Sequence, residues 1–305
     1  MNRLVLVTGA YGFIGRHVAR ALAADGQTVI GLGHGDWSRE QWRQWGIAEW
    51  HAADVTLHNL VTHAGLPGAV IHCAGSGSVG FSATHPHQDY ERTVETTAAV
   101  LEFVRLHARD AVVVYPSSVA VYGQVGRQPI AETQAPNPVS PYGAHKQIAE
   151  QLCAAYARHF GIKAAVVRLF SVYGNGLRKQ LLWDACSKLR RGEAEFFGTG
   201  AELRDWLHAG DAADLLVRAR RHASTHCPVV NGGTGISVAV AEVVQEVRDA
   251  MHADIPVTFT GQSRQVDPPS YVADVSRAAA WGWKARKPWR EGVREYVEWF
   301  AAGEN

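Results

Sequence analysis

Tyr142 and Lys146 stand four residues apart in Ser140-Pro141-Tyr142-Gly143-Ala144-His145-Lys146. On a helix that spacing puts both side chains on one face. An ammonium beside a phenol is expected to lower the phenol's pKa and make it an acid/base near neutral pH. Ser117-Ser118 ends an apolar run, where a hydroxyl is placed to orient a carbonyl or an alcohol. A second constellation, Gly9-Ala10-Tyr11-Gly12-Phe13-Ile14-Gly15, spaces its glycines in a GxxGxxG pattern. Such a turn brings backbone close to a pyrophosphate and offers it the free N–H groups of a helix start. Here the turn follows a strand-like run and opens a helical one, the context that makes dinucleotide binding the expectation.

These residues need rigid elements to hold them. Short β-branched runs (Leu4–Val7, Thr28–Ile30, Ala69–Ile71, Ala111–Val114, Ala164–Val167) alternate with amphipathic stretches at Ile14–Ala24, Asp89–Arg109 and Tyr142–Phe160. That alternation predicts βαβ units, and unbroken apolar strands predict burial on both faces. The fold class expected is α/β, a Rossmann-type doubly wound parallel sheet with a smaller C-terminal substrate lobe. Beyond about residue 171 the pattern loosens into Gly-, Arg- and Trp-rich loops, with a helix near Val238–Met251. Residues 1–170 and 206–233 are expected to form the dinucleotide domain, and 171–205 and 234–305 the substrate lobe.

Composition excludes several classes. Thirty basic side chains against 29 acidic ones, a formal charge of +1, give no field for nucleic acid or an anionic membrane. No apolar stretch approaches the roughly 18 residues of a membrane span, and the N-terminus lacks signal-peptide architecture. A cytoplasmic protein is therefore expected. Cys73, Cys153, Cys186 and Cys227 are scattered without a CxxC pair, which predicts free thiols and no metal site.

The second strand should end on an acid that holds the adenosine ribose. The chain has Gly31-Leu32-Gly33-His34-Gly35-Asp36 instead, with Gly33 at the acidic position. Without that carboxylate nothing repels a 2′-phosphate, and His34, Arg39 and Arg43 are near enough in sequence to meet one. The alternative is that Asp36 or a backbone group holds the ribose. The cofactor expected is NAD or NADP.

The chain resembles the extended short-chain dehydrogenase/reductases, in particular the sugar-nucleotide epimerase/dehydratase family of UDP-glucose 4-epimerase type. Besides the glycine turn, the likeness rests on Ala53-Asp54-Val55-Thr56, Val70-Ile71-His72-Cys73-Ala74-Gly75 and Ser117-Ser118-Val119-Ala120-Val121-Tyr122-Gly123. It continues through the Tyr142–Lys146 segment, Val167-Arg168-Leu169-Phe170-Ser171-Val172-Tyr173-Gly174, Arg204-Asp205-Trp206-Leu207-His208 and Asn231-Gly232-Gly233-Thr234-Gly235. The resemblance implies Ser118 and Tyr142 as the catalytic hydroxyls, with Lys146 holding the nicotinamide ribose. It implies cofactor contacts at Gly9, Tyr11, Gly12, Phe13, Ile14, Gly33, His34, Asp54, Val55, Cys73, Ala74, Gly75, Phe170 and Val172. On the substrate side it implies Ser78, Ser118 and Ser171, with Phe196 and Phe197 packing the nucleobase and Arg204 and Arg264 gripping a nucleotide diphosphate. Arg204 has a second reading as a surface ion pair with Asp205 or Asp211.

Departures from the family pattern bear on the sugar. Ser171 and Thr93 stand where the family has asparagines, and a family lysine is absent from Ser76–Gly80. A 4,6-dehydratase would carry an Asp-Glu pair after the catalytic hydroxyl, where this chain has Val119-Ala120. C4 epimerisation of a nucleotide-diphosphate sugar is the reaction expected, with NADPH-dependent reduction of a 4-keto-6-deoxy sugar nucleotide as the alternative. A non-catalytic NADP-binding regulator would be expected to lack the Tyr-Lys pair. The resemblance also implies a homodimer, with Asp89–Arg109 and Tyr142–Phe160 pairing into a four-helix bundle.

Overall fold

Four runs are buried almost without interruption and form the centre of a sheet in the computed structural model, which describes residues 3–126, 129–262 and 268–303. They are β1 (Leu4–Thr8), β4 (Ala69–His72), β5 (Val112–Ser118) and β6 (Lys163–Leu169), joined by β2 (Thr28–Gly33) and β3 (Ile47–Ala52). The strand order is Val229–Gly232, β6, β5, β4, β1, β2, β3. The pairs from β6 to β3 are all parallel. Helices on both faces explain why these strands read as unbroken apolar runs. β1 lies between β2 and β4, so chain order reverses there, and the carboxyl ends of β1 and β4 are where an open α/β sheet binds ligands.

The helices in this part are α1 (Phe13–Ala24), α2 (Arg39–Gln44), α3 (Leu57–His63), α4 (Val79–Thr84), α5 (Pro86–Tyr90), α6 (Thr96–His107) and α7 (Pro141–Phe160). Two differences from the sequence expectation have clear causes. β3 escapes the periodicity because it is an edge strand whose Ala48 and Glu49 face solvent, so no apolar run is needed. The single helix expected over 89–109 is broken by a π-helical turn at Glu91–Glu95. There the hydroxyls of Thr96 and Thr97 donate to the carbonyls of Arg92 and Thr93, each at 2.6 Å, drawing bonds away from the regular ladder.

α7 is built to start and stop where it does. Ser140 caps it by accepting from Gly143 N–H, Pro141 sits in its first turn, and Gly161 ends it in the left-handed conformation. Phe103 and Val104 of α6 and Ala149, Cys153 and Ala157 of α7 share one core cluster with Val113, Tyr115 and Val166.

The chain divides into two compact units. The first holds residues 1–123, 135–169 and 213–231; the second holds 124–134, 170–212 and 232–305. Residues 124–134 and 206–212, which the sequence pattern places with the sheet, thus fall in the second unit. In that unit Ser171–Tyr173 pairs in parallel with Trp206–His208. Leu203–Arg204 runs between Val238–Ala239 and Ser270–Tyr271. Helices Gln180–Arg190, Val240–Ala250 and Trp289–Ala302 pack on one another. Among the described residues no helix is long and apolar enough to cross a membrane, and no group of His, Cys, Asp or Glu could hold a metal ion.

Candidate active site

The glycine turn is a cradle that side chains would fill. Gly9 has φ +66°, and a Cβ there would lie 2.6 Å from the Ala74 nitrogen; one at Gly15 would lie 2.2 Å from the Gly9 carbonyl. Gly12 is the N-cap of α1, with no side-chain cap and no acid in the first turn. The helix start therefore keeps N–H groups and positive dipole for an anion, as a dinucleotide pyrophosphate requires. Phe13 and Ile14 form the first turn of α1, and Tyr11, partly exposed, meets Trp37 edge-on.

The end of β2 explains its missing acid. A Cβ at Gly33 would sit 3.2 Å from both N and Cα of Gly9, so the close approach of β2 to the turn leaves little room for a side chain. Just beyond, His34 Nε2 lies 2.8 Å from Asp54 Oδ1, both groups exposed. Val55 is buried beside them. At the end of β4, burial pushes the Cys73 thiol up to about 12, which keeps it a neutral lining group. Ala74 N–H points to Thr8 Oγ1 at 3.4 Å, and Gly75 has φ +143°. The structure thus gathers Gly9 to Ile14, Gly33, His34, Asp54, Val55 and Cys73 to Gly75 in one unit, while Phe170 and Val172 belong to the other.

Ser118, Tyr142 and Lys146 meet where β5 ends and α7 begins. Ser118 caps the 3-10 turn Val119–Tyr122 by accepting from Ala120 N–H at 3.2 Å, and its side chain is near enough to the Tyr142 phenol to pull its pKa down. Gly143 allows this approach, since a Cβ there would lie 2.5 Å from the Ala120 carbonyl. Tyr142 N–H donates to Ser82 Oγ at 3.0 Å, tying α7 to α4. Lys146 is 6% exposed and donates from Nζ to the Pro116 carbonyl at 3.1 Å.

The electrostatics differ from the sequence expectation. Burial raises the Tyr142 pKa; Ser118 opposes this, and the Asp89 charge adds to it. Lys146 Nζ is 5.9 Å from the Tyr142 ring centre and engaged elsewhere, so it does not dominate the phenol. Burial depresses Lys146 itself to about 8, against the upward pull of Cys73, Asp89, Glu150 and Cys153. Asp89, paired with His145 of α7, is a group that sequence reading missed: it lies 56 residues away along the chain.

Behind this site, Glu150 of α7 accepts from Arg168 of β6 through both oxygens at 2.7–3.3 Å. Arg168 stacks over Tyr122, whose hydroxyl donates to Asn231 Oδ1 at 2.7 Å. Ser78, expected on the substrate side, caps α4 by accepting from Phe81 N–H at 3.2 Å.

The remaining substrate-side residues lie in the second unit. Ser171 N–H donates to the Asp205 carbonyl at 3.0 Å. Arg204 Nη1 donates to the carbonyls of Leu203 and Pro268 at 2.9 and 3.0 Å, and its guanidinium lies over Tyr271. Asp205, fully buried, accepts from the backbone of Thr234, Gly235 and Ala273 and so anchors this strand. Of the two phenylalanines the resemblance places at the nucleobase, Phe196 is 1% exposed, against Phe259 and beneath Lys188, and Phe197 is 44% exposed. Arg264 lies outside the described residues.

Residues 5–233 match the model of the NAD dependent epimerase/dehydratase family. The chain belongs to that family. It is an enzyme of the class, and NAD is the cofactor its family is named for. Among curated relatives, the UDP-glucose 4-epimerase of Azospirillum brasilense is 30% identical over 97% of this chain and 91% of its own length. The crystal structure of UDP-glucose 4-epimerase with UDP-glucose from Thermotoga maritima superposes with a TM-score of 0.88 at 25% identity, covering 99% of this chain and 100% of that one. The enzyme from Brucella ovis in complex with NAD is 30% identical with a TM-score of 0.85, covering 96% of each chain. This family member therefore carries the glycine cradle and the Ser-Tyr-Lys arrangement on the scaffold of NAD-dependent epimerases.

Proposed function

We propose that this enzyme interconverts C4 epimers of a nucleoside-diphosphate sugar. The observation that carries the reading is the convergence of Ser118 at the end of β5 with Tyr142 and buried Lys146 at the start of α7, in the same unit as the glycine cradle. Tyr142 takes the proton of the sugar's C4 hydroxyl and later returns it, while Ser118 orients that oxygen. Bound NAD supplies the hydride acceptor for C4 and gives the hydride back, so the reaction has no net oxidation. Lys146 holds the cofactor's ribose hydroxyls. Arg204 and Arg264 grip the diphosphate with the bidentate geometry that guanidinium offers. Val119 and Ala120 supply no carboxylate after Ser118, which argues against sugar dehydration.

UDP-glucose epimerase relatives make UDP-glucose and UDP-galactose the first substrates to test. NMR of the sugar anomeric protons should show interconversion with NAD. Tyr142→Phe should lower kcat by at least about 100-fold while the cofactor stays bound. No interconversion by the wild type across a panel of nucleotide sugars would overturn the reading.

A second reading, reduction of a 4-keto-6-deoxy sugar nucleotide by NADPH, is favoured by Gly33, which removes the acid that would repel a 2′-phosphate. The nucleotide that copurifies decides between them: NAD supports epimerisation, NADP supports reduction. We further propose a homodimer through α6 and α7, and a reducing, cytoplasmic setting for the free cysteines.

A further inference from the structure

Ser118 and Tyr142 come from different elements, so the distance between them depends on what braces α7 against the end of β5. Two contacts lie at the helix start: Lys146 Nζ on the Pro116 carbonyl at 3.1 Å, and Gly143 against the Ala120 carbonyl. A third lies one turn further on. Glu150 follows Lys146 by four residues, on the same helix face. Both its oxygens accept from Arg168, at 3.0 and 3.3 Å from Nε and at 2.7 Å from Nη2.

Arg168 reaches the Ser118 side as well. In the β5–β6 register it is the partner of Ser117, the residue before Ser118. Its guanidinium lies 4.6 Å over the ring of Tyr122, in the 3-10 turn that Ser118 caps. The Tyr122 hydroxyl donates to Asn231 Oδ1 at 2.7 Å, which pins the ring to the strand next to β6. One side chain, 5% exposed, thus holds α7 with its nitrogen fork and the Ser118 turn with its flat face.

Stability alone does not call for this arrangement. A buried ion pair gains little over apolar residues of the same volume, because both charges give up water. What it adds is direction. A guanidinium fork on a carboxylate fixes distance and angle together, whereas apolar side chains slide over one another. Here the directional contact joins the two segments that carry the hydroxyls of the site.

We propose that Arg168 is a positioning residue that sets the separation of Ser118 and Tyr142, bracing α7 through Glu150 and the Ser118 turn through Tyr122. It acts through these neighbours rather than on the reacting atoms. This rests on Ser118 and Tyr142 being the hydroxyls of the proposed reaction.

Replacing both charges, as Glu150→Leu with Arg168→Met, removes the brace without leaving a buried charge unpaired, so most of the stability should remain. With UDP-glucose, kcat should fall at least about 10-fold, while KM and NAD affinity stay within about twofold of wild type. A merely structural pair predicts wild-type kcat in that variant. Crystal structures of the wild type and the variant read the Ser118–Tyr142 separation directly, and it should change by about 0.5 Å or more. Wild-type kcat, or an unchanged separation, overturns the proposal. If the double variant fails to fold, two substitutions at Tyr122 decide. Tyr122→Leu should lower kcat much more than Tyr122→Phe, which keeps the ring beneath the guanidinium; equal effects overturn the brace. Should the wild type turn over no nucleotide sugar, the reaction reading falls while the crystal structures still decide the brace.

Discussion

At the residue scale, the chemistry of this enzyme is governed by burial. Lys146 has an ordinary value of 10.5 in the unfolded chain and is depressed to about 8 in the fold by desolvation. Between those values the unfolded chain binds more protons than the folded one, so stability rises with pH across that window. Below about 8 both states are protonated, and the full cost of burying the cation is present. In cofactor-free protein, urea denaturation at about pH 8 and about pH 10 should show this rise, on the order of 2–4 kcal/mol in total across the window. Lys146→Met should lose it. An unchanged slope in the variant would remove Lys146 as its source. The i, i+4 relation of Tyr142 and Lys146 was readable because helix geometry alone sets it. The sign of the phenol's shift was not, since it depends on Asp89 and on desolvation, both products of packing.

At the element scale, α7 is held to the sheet by a buried ion pair as well as by apolar contact. Glu150 and Arg168 are 7% and 5% exposed, and the pair joins α7 to β6 beneath the site. Removing one partner leaves an uncompensated buried charge, so Arg168→Met should cost about 3–5 kcal/mol. Replacing both, as Glu150→Leu with Arg168→Met, should recover most of that loss. Chemical denaturation of the two variants checks this, and equal losses would mean the carboxylate is not the problem. The glycine turn was legible for the opposite reason: strand, turn and helix start are contiguous, and each glycine answers a local steric demand. β3 and the π-helical turn at Glu91–Glu95 were not legible. An edge strand needs no apolar run, and the turn depends on where Thr96 and Thr97 direct their hydroxyls.

At the scale of the whole molecule, near-neutral charge and two compact units define the binding problem. With 30 basic and 29 acidic groups there is no bulk field to attract phosphate, so the pyrophosphate of a dinucleotide needs local groups. The proposed homodimer belongs to this scale too. Leu106 of α6 and Ile148 and Phe160 of α7 are exposed apolar side chains on the helices that would pair. Light scattering should give a mass near twice 33.2 kDa, and Ile148→Glu should shift it towards the monomer. A monomeric wild type at micromolar concentration would sink the dimer.

Sequence alone determined the features whose geometry is local: the glycine cradle, the shared face of Tyr142 and Lys146, and the alternation that builds a parallel sheet. Backbone sterics and helical periodicity act over a few residues, so spacing suffices to read them. Tertiary structure decided what depends on which surfaces meet. It turned Phe196 inward, filled the place of the ribose acid with the close approach of Gly33 to Gly9, and set Asp89 against His145 across 56 residues. Burial and long-range pairing control the charge state of the site, and neither is written in the spacing of the residues that carry it.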